Sequence, residues 1–310
     1  MADLALALTM AIWGSSFAVL RFFIAPGADP TSAASPLMVL ALRMALASGL
    51  LGLFLLVRRW VRPAPPMGRE ATLALLRDGA LCGALLGLGF LFQTEGLSRT
   101  TASRSGFLTG LLVVFVPLFE FLLYKKRPAK PALVALALAF IGMAVLSGPV
   151  ENGGTTVGDL LTFLCAIVFA LQILALGRAA PRHPILELLL CQLIMVGVMA
   201  AIAGPIIEPT HLPRDPKLAL AIVYLAVLAT LLAFGVQTWA QRIVSPLRMA
   251  LLSSLEPVFA AVFAALLIGE RLSLHEKLGG ALIISGVLVG ELGAAVLARR
   301  VANSKLEERG

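Results

Sequence analysis

Long apolar runs alternate with short polar connectors along this chain. The runs lie near 3–23, 37–57, 79–97, 103–124, 132–148, 157–177, 185–207, 218–239, 249–268 and 274–297. At ~1.5 Å per residue, a helix of about 20 residues crosses the hydrocarbon of a bilayer, and each run approaches that length. None shows the period-two alternation of a barrel strand. An all-α integral membrane protein with ten transmembrane helices is therefore expected. Turn-forming segments part the runs: Pro26-Gly27-Ala28-Asp29-Pro30, Pro63-Ala64-Pro65-Pro66, Asn152-Gly153-Gly154, Pro181-Arg182-His183-Pro184 and Pro213-Arg214-Asp215-Pro216. The first run opens with Asp3 where a signal peptide is basic and has no small-residue cleavage site before it ends. It reads as a retained span.

Composition narrows the class. Of 310 residues, 59% are hydrophobic and 14% charged, against about 45–50% and about 25% in soluble domains. An ordinary soluble enzyme and a disordered chain are both excluded. Ten spans use roughly 200 residues, which leaves loops and tails but no room for a separate domain. The formal charge of +8 would suit nucleic acid, yet the basic residues follow the topology instead. With the N-terminus cytoplasmic, inner segments hold 17 Lys and Arg, among them Arg58, Arg59, Arg62, Lys125, Lys126 and Arg127, and outer segments hold 6. That asymmetry is the positive-inside pattern with both termini cytoplasmic. No basic domain or aromatic-interleaved patch supports a nucleic-acid partner. Cys82, Cys165 and Cys191 lack C-x-x-C spacing and lie in apolar runs, where they read as small buried hydrophobes; no metal or cofactor is implied.

An internal repeat turns this outline toward function. Shifting the chain by 144 residues lays Gln93-Thr94 on Gln237-Thr238, Arg104 on Arg248, Thr109 on Ser253, Arg127 on Arg271 and Gly142 on Gly286. Near the start of each half the offset is 156, pairing Asp3-Leu4 with Asp159-Leu160 and Trp13 with Phe169. Residues 1–148 and 149–298 then form two five-span repeats, and residues 299–310 a polar cytoplasmic tail expected to be mobile. An odd span number makes the second copy enter from the opposite side, a 5+5 inverted-topology repeat. Two opposed bundles form two alternative openings, so transport by alternating access is favoured over duplication without transport.

Trp13-Gly14-Ser15-Ser16-Phe17 in the first span resembles the opening motif of EamA-type proteins of the drug/metabolite transporter superfamily. Leu255-Glu256-Pro257-Val258-Phe259, Ile268-Gly269-Glu270-Arg271-Leu272 and Gly279-Gly280-Ala281-Leu282-Ile283 resemble that family's second-repeat signature. The resemblance covers nearly the whole chain and is nearest to amino-acid exporters of the YddG type. It implies a ten-helix bacterial inner-membrane exporter of small metabolites, aromatic or other neutral amino acids first, with no ATPase domain. A monomer is expected, surrounded by lipid. Lys126 stands where Glu270 stands in the other half, so a symmetric role for that glutamate is not expected.

Polar groups within spans are costly unless they are partnered, solvated or used. Trp13, Ser15 and Ser16 lie ~15–20 Å from the inner end of their span, near the midplane. Thr109 and Ser253 are repeat-mates, as are Ser16 and Gln172. Hydroxyls and amides at that depth suit the ammonium and carboxylate of a zwitterion, and Trp13 offers cation–π or apolar contact; helix packing is the alternative use. Gln93-Thr94 and Gln237-Thr238 fall near opposite faces, as a vestibule or gate would. Trp239 is either a substrate contact or an interfacial anchor, and Tyr224 a packing residue.

Five charges and two prolines remain to be weighed. Arg43, ~9 Å inside the outer end of its span, and Glu95 near the same face are expected to pair. Glu120 and Glu291 read as interfacial. Glu256, ~10 Å from the inner end, precedes Pro257 and is biased away from helical backbone geometry. It either carries a coupling proton or bonds backbone freed at the kink. Pro117 and Pro257 occupy corresponding spans and are expected to bend them as hinges. Gly83/Gly87, Gly106/Gly110 and Gly286/Gly290 read as close-packing faces.

Competing classes fare worse. His183, His211 and His275 fall in loops, so no Ser–His pair forms inside the bilayer, and G-x-S-x-G, H-E-x-x-H and Walker A motifs are missing. An enzyme is not expected. No stretch reads as the selectivity filter of a passive channel. Among carriers the alternative is a drug or nucleotide-sugar exporter, but phosphate-bearing cargo calls for several buried cations and only Arg43 is placed inside.

Overall fold

The computed structural model describes residues 1–310 except 25–33, 64, 66, 98, 100–101, 147–155, 210, 212–214, 269–272 and 308–310. Among the described residues every apolar run is helical, two of them with a break. The helices are α1 (Ala2–Ile24), α2 (Pro36–Val61), α3 (Arg69–Leu97), α4 (Ala102–Gly110), α5 (Leu112–Tyr124), α6 (Lys130–Leu146), α7 (Thr156–Ala179) and α8 (Ile185–Ile207). α9 (Pro216–Tyr224) continues through a π-helical stretch (Leu225–Leu232) into α10 (Ala233–Ala240), followed by α11 (Pro246–Ser253), α12 (Glu256–Ile268) and α13 (Leu274–Glu307). No strand occurs among the described residues.

Among the described residues, six stretches are long and apolar enough to cross a bilayer: Pro36–Val61, Arg69–Leu97, Val157–Arg182, Ile185–Ile207, Pro216–Ala240 and Pro246–Phe263. Shorter apolar helices, Leu108–Tyr124 and Lys130–Leu146, accompany them. Leu53, Phe54, Ile202, Leu220 and Leu288 point outward while Thr162, Gln172, Gln192 and Thr230 are buried. That arrangement suits lipid outside and polar contacts between helices. The protein has a multi-pass membrane fold.

Two helix ends depart from expectation. α3 starts ahead of its apolar run, because Arg69-Glu70-Ala71 and the leucines after them are good helix formers. α13 runs on to Glu307, so residues 299–307 are helical and not a loose tail. Ala, Arg, Lys, Leu and Glu there favour helix without needing a membrane.

Side-chain contacts fix which helix ends meet. At one end, here the Asp3 end, Arg248 of α11 bonds Asp3 of α1 at 3.0 Å and, through Nε, Glu291 of α13 at 2.7 Å. Glu291 is thus an ion-pair partner. At the same end Pro246 packs on Gly177 of α7. Asp78 of α3 meets His183 at 2.9 Å and Arg182 at 3.2 Å, at the junction of α7 and α8. At the opposite end the Ser35 hydroxyl donates to the Pro209 carbonyl at 2.5 Å, and the Leu37 amide of α2 donates to Glu208 at 2.7 Å. Burial lifts the Glu208 carboxyl above the usual carboxylate range, and the amides of Leu37 and Met38 at the helix start pull it back.

Glycine lets α6 and α13 cross at backbone distance. A Cβ on Gly142 would lie 2.8 Å from the Gly279 carbonyl oxygen and 2.8 Å from the Ile283 nitrogen. A Cβ on Gly286 would lie 2.8 Å from the Ala135 oxygen and 3.0 Å from the Ala139 nitrogen. At an offset of 144, Gly142 is the mate of Gly286, Ala135 of Gly279 and Ala139 of Ile283. Each contact is matched by its exchange. Elsewhere α1 packs on α12 as α7 packs on α5, and α1 packs on α10 as α7 packs on α3. Gly83 and Gly87 meet α8 through Met195 and Met199, whereas Gly106 has nothing within 4 Å and only Gly110 of that pair packs, on Met143.

Two apolar runs are broken. α4 stops at Gly110 and α5 starts at Leu112, with the Leu111 amide turning back to the Leu108 carbonyl at 3.2 Å. α11 stops at Ser253 and α12 starts at Glu256, with the Leu255 amide turning back to the Leu252 carbonyl at 3.0 Å. These two turns are equivalent at the 144 offset. Pro257 lies in the first turn of α12, where its missing N–H deprives no helical bond, while Pro117 lies inside α5. The bend expected at Pro257 is thus a break ahead of it, and the two prolines are not equivalent. Pro117 therefore removes a hydrogen bond from the interior of α5, while Pro257 costs α12 none.

Candidate functional site

The interior is built around Trp13, whose position 11 residues into α1 puts it ~16 Å along the helix axis. Its Nε1–H donates to the Ala229 carbonyl at 2.9 Å. Ala229 lies in the π-helical stretch, where the wider turn disturbs the regular ladder and leaves carbonyls open to outside donors. Ala229 is also 11 residues from the far end of its segment at Ala240, so the two partners share one depth.

The indole is 5.0 Å from the Phe234 ring, Phe234 is 6.0 Å from Phe90, and Phe90 is 5.7 Å from Phe169. Phe169, the repeat-mate of Trp13, thus belongs to the same cluster. The Arg43 guanidinium sits over Phe90, 4.9 Å from its centroid. It does not meet Glu95, which Arg99 holds at 2.8 Å one turn away on α3. The expected Arg43–Glu95 pair is absent because the local i,i+4 partner and the ring each came closer.

The neighbouring hydroxyls are mostly committed. Ser15 Oγ donates to the Ile12 carbonyl at 2.7 Å and shares a 2.5 Å hydrogen bond with the Tyr224 hydroxyl. Tyr224 is therefore more than packing. Ser16 Oγ donates to the Trp13 carbonyl at 2.7 Å, and Ser253 Oγ to the Met249 carbonyl at 2.9 Å. Thr109 Oγ1 is buried without a hydrogen-bond partner. Thr109 stands just before the first helix break and Glu256 just after the second. Glu256 is half-buried, and no ion pair joins it to a described residue.

Toward the Asp3 end the interior closes on four buried amides. Gln237 donates to Gln172 at 3.5 Å and to Gln241 at 3.4 Å, Gln172 donates to Gln192 at 3.4 Å, and Gln241 donates to the Ile173 carbonyl at 2.8 Å. Thr238 Oγ1 turns back to the Phe234 carbonyl at 2.7 Å. Gln93 and Thr94 sit half-buried in the last turn of α3, at the opposite end. Trp239 stands apart, 38% exposed on the outside of the bundle. The structure thus brings Trp13, Arg43, Gln172 and Gln237 to the interior, but not Trp239.

Sequence reasoning missed Phe90, Gln192, Gln241 and the buried Asp78–His183 pair. Their signal was a polar or aromatic residue inside or beside an apolar run. His275 lies in the first turn of α13, not in a loop. Among the described residues no group of three His, Cys, Asp or Glu side chains is placed to hold a metal ion. The arrangement offers aromatic surface, hydroxyls, amides and one guanidinium, which is chemistry for binding.

Known proteins give the same outline. A protein of Archaeoglobus fulgidus, named an uncharacterized transporter, is 29% identical over 293 residues, covering 94% of this chain and 86% of that protein. A Salmonella typhimurium protein, named a probable amino-acid metabolite efflux pump, is 25% identical over 323 residues, covering 95% of each chain. An Escherichia coli protein, named an uncharacterized inner membrane transporter, YedA, is 27% identical over 288 residues, covering 91% of this chain and 88% of its own. A solved crystal structure shares the fold with a TM-score of 0.73 at 21% identity, over 97% of this chain and 98% of that one. The relatives are transporters by name, which points away from an enzyme. Residues 1–148 and 156–290 match the EamA-like transporter family, and the chain belongs to that family.

Proposed function

We propose that the chain is a ten-span carrier that exports small metabolites, amino acids foremost, by alternating access. In this reading α4–α5, α9–α10 and α11–α12 each form one span, and the two halves of five spans have opposite topology. The bacterial inner membrane holds it with both termini, and hence the Asp3 end, in the cytoplasm. The observation that carries the reading is the pair of helix breaks at Leu111 and Ser254–Leu255, equivalent at the 144 offset. Discontinuous spans at corresponding places in two opposed halves mark the substrate path of carriers. The reciprocal crossing of α6 and α13 and the two family matches support the same division.

The four-amide cluster then seals the cytoplasmic side, and the Trp13 cluster lies at mid-depth where cargo binds. Glu256, at the second break, is positioned to carry a coupling proton. Amino acids come first among cargoes because a relative is named for their efflux and because Arg43, the one buried Lys or Arg among the described residues, suits a zwitterion better than a nucleotide sugar. The test is purified protein in liposomes, challenged with a panel of amino acids under imposed proton gradients. Saturable uptake with counterflow is expected. Transport of nucleotide sugars alone would overturn the cargo, and non-saturable flux without counterflow would overturn the carrier.

A further inference from the structure

Arg43 is the one Lys or Arg among the buried polar side chains of the described residues, at 7% exposure. A guanidinium taken out of water is costly unless anions or acceptors meet its five N–H groups. Its Nε is buried with no hydrogen-bond partner, and no described carboxylate forms an ion pair with it. The acids near its level are engaged elsewhere, Glu95 by Arg99 at 2.8 Å and Glu208 by the Leu37 amide at 2.7 Å. What Arg43 does have is the ring of Phe90, whose centroid lies 4.9 Å from its Cζ, a cation–π contact that uses none of its N–H donors on an anion. Phe90 touches Phe234, and Phe234 touches Trp13. A cation lacking an anion thus sits at the rim of a continuous aromatic surface in the middle of the bundle.

We propose that Arg43 binds the carboxylate of the transported molecule while the rings of Phe90, Phe234 and Trp13 take the apolar group beside it. The cargo is then a monocarboxylate carrying an aromatic or bulky aliphatic side chain. The inference rests on the carrier reading above and narrows it. A guanidinium matches a carboxylate through two parallel N–H···O bonds, which a Lys at the same place cannot reproduce. A phosphate monoester, with nearly two negative charges, would leave charge uncompensated beside Arg43, the one buried Lys or Arg of the described residues. Apolar surface next to the fork strengthens the pair by keeping water away from it.

The experiment uses the full chain in liposomes and measures inhibition of counterflow by four probes. L-phenylalanine carries the ring and the carboxylate, L-phenylalaninamide and phenethylamine carry the ring without it, and uridine monophosphate carries a phosphate. Wild-type protein is expected to take L-phenylalanine at least about tenfold tighter than the other three. Arg43→Gln is expected to weaken L-phenylalanine about tenfold or more and to leave the amide and amine within about twofold. Arg43→Lys, the variant to rely on if Arg43→Gln does not fold, is expected to lose at least about threefold on L-phenylalanine alone. Equal losses on all ring probes, or unchanged L-phenylalanine, would overturn the proposal and leave the carrier standing. Tight uridine monophosphate lost in Arg43→Gln would overturn the carboxylate assignment. Wild-type protein that moves no probe and no amino acid would overturn the cargo reading, and this proposal with it.

Discussion

Gly279→Ala is expected to lower the thermal stability of the purified protein more than any other single-methyl addition on α13. A Cβ there would lie 2.3 Å from the Leu146 nitrogen, 2.5 Å from its Cα and 2.6 Å from the Gly142 carbonyl oxygen. All three are backbone atoms, so no rotamer change relieves the clash. The helices must part, and parting them also loosens the matched contact of Gly142 with Ile283. Overpacking of this kind costs about 1–3 kcal/mol, and the absence of a movable side chain argues for the upper part of that range. Gly52 of α2 provides the control, because a Cβ there has nothing within 4 Å. Gly52→Ala should stay within about 0.5 kcal/mol of wild type, or gain slightly from helix propensity. Unfolding of both variants in the same detergent, followed by intrinsic fluorescence, decides the matter. Equal stabilities would mean that the α6–α13 crossing is looser than its glycines indicate.

The position of each helix was legible because lipid leaves so little choice. Every apolar run had to satisfy its backbone internally, so each became helix over nearly the length of the run. The α6–α13 glycines were legible too, since Gly142 and Gly286 stand at the same offset as Gln93 and Gln237. The breaks were only half legible. Pro257 announced a disturbance, yet the turn falls ahead of it at Ser254–Leu255, and Leu111 carries no proline at all. Charge pairing was not legible. Spacing places Arg43 and Glu95 near one face of the membrane but cannot say which side of each helix they occupy. Glu95 found Arg99 one turn away on its own helix, a partner that no tertiary contact has to supply. Asp78 and His183 are 105 residues apart with no repeat relation, so only the packing of α3 on the α7–α8 junction joins them. The π-helical stretch Leu225–Leu232 carries no residue that marks it, and its role became visible only when Trp13 took the Ala229 carbonyl.

For the carrier proposed above, Glu256→Gln is expected to separate driven transport from exchange. Glu256 begins α12 directly after the second break, and no described cation pairs with it. A carboxyl inside a span needs a partner, a water-filled path or a function, and in the proposed carrier that function is the proton path. Its repeat-mate at the 144 offset is Leu112, which cannot titrate. The two breaks are alike in backbone and unlike in chemistry, so this pair of positions supplies at most one proton per cycle. Glutamine keeps the size and the acceptor but carries no exchangeable charge. With a gradient of one pH unit imposed, net accumulation should fall about tenfold, which is the whole of what one proton per cycle can drive. Counterflow at equal pH should remain within about twofold, because exchange needs only the substrate site and the moving helices. If both rates hold at wild-type values, Glu256 serves the backbone at the break, a task that glutamine performs as well. If both fall together with thermal stability, the carboxylate holds α12 in place and the proton enters elsewhere.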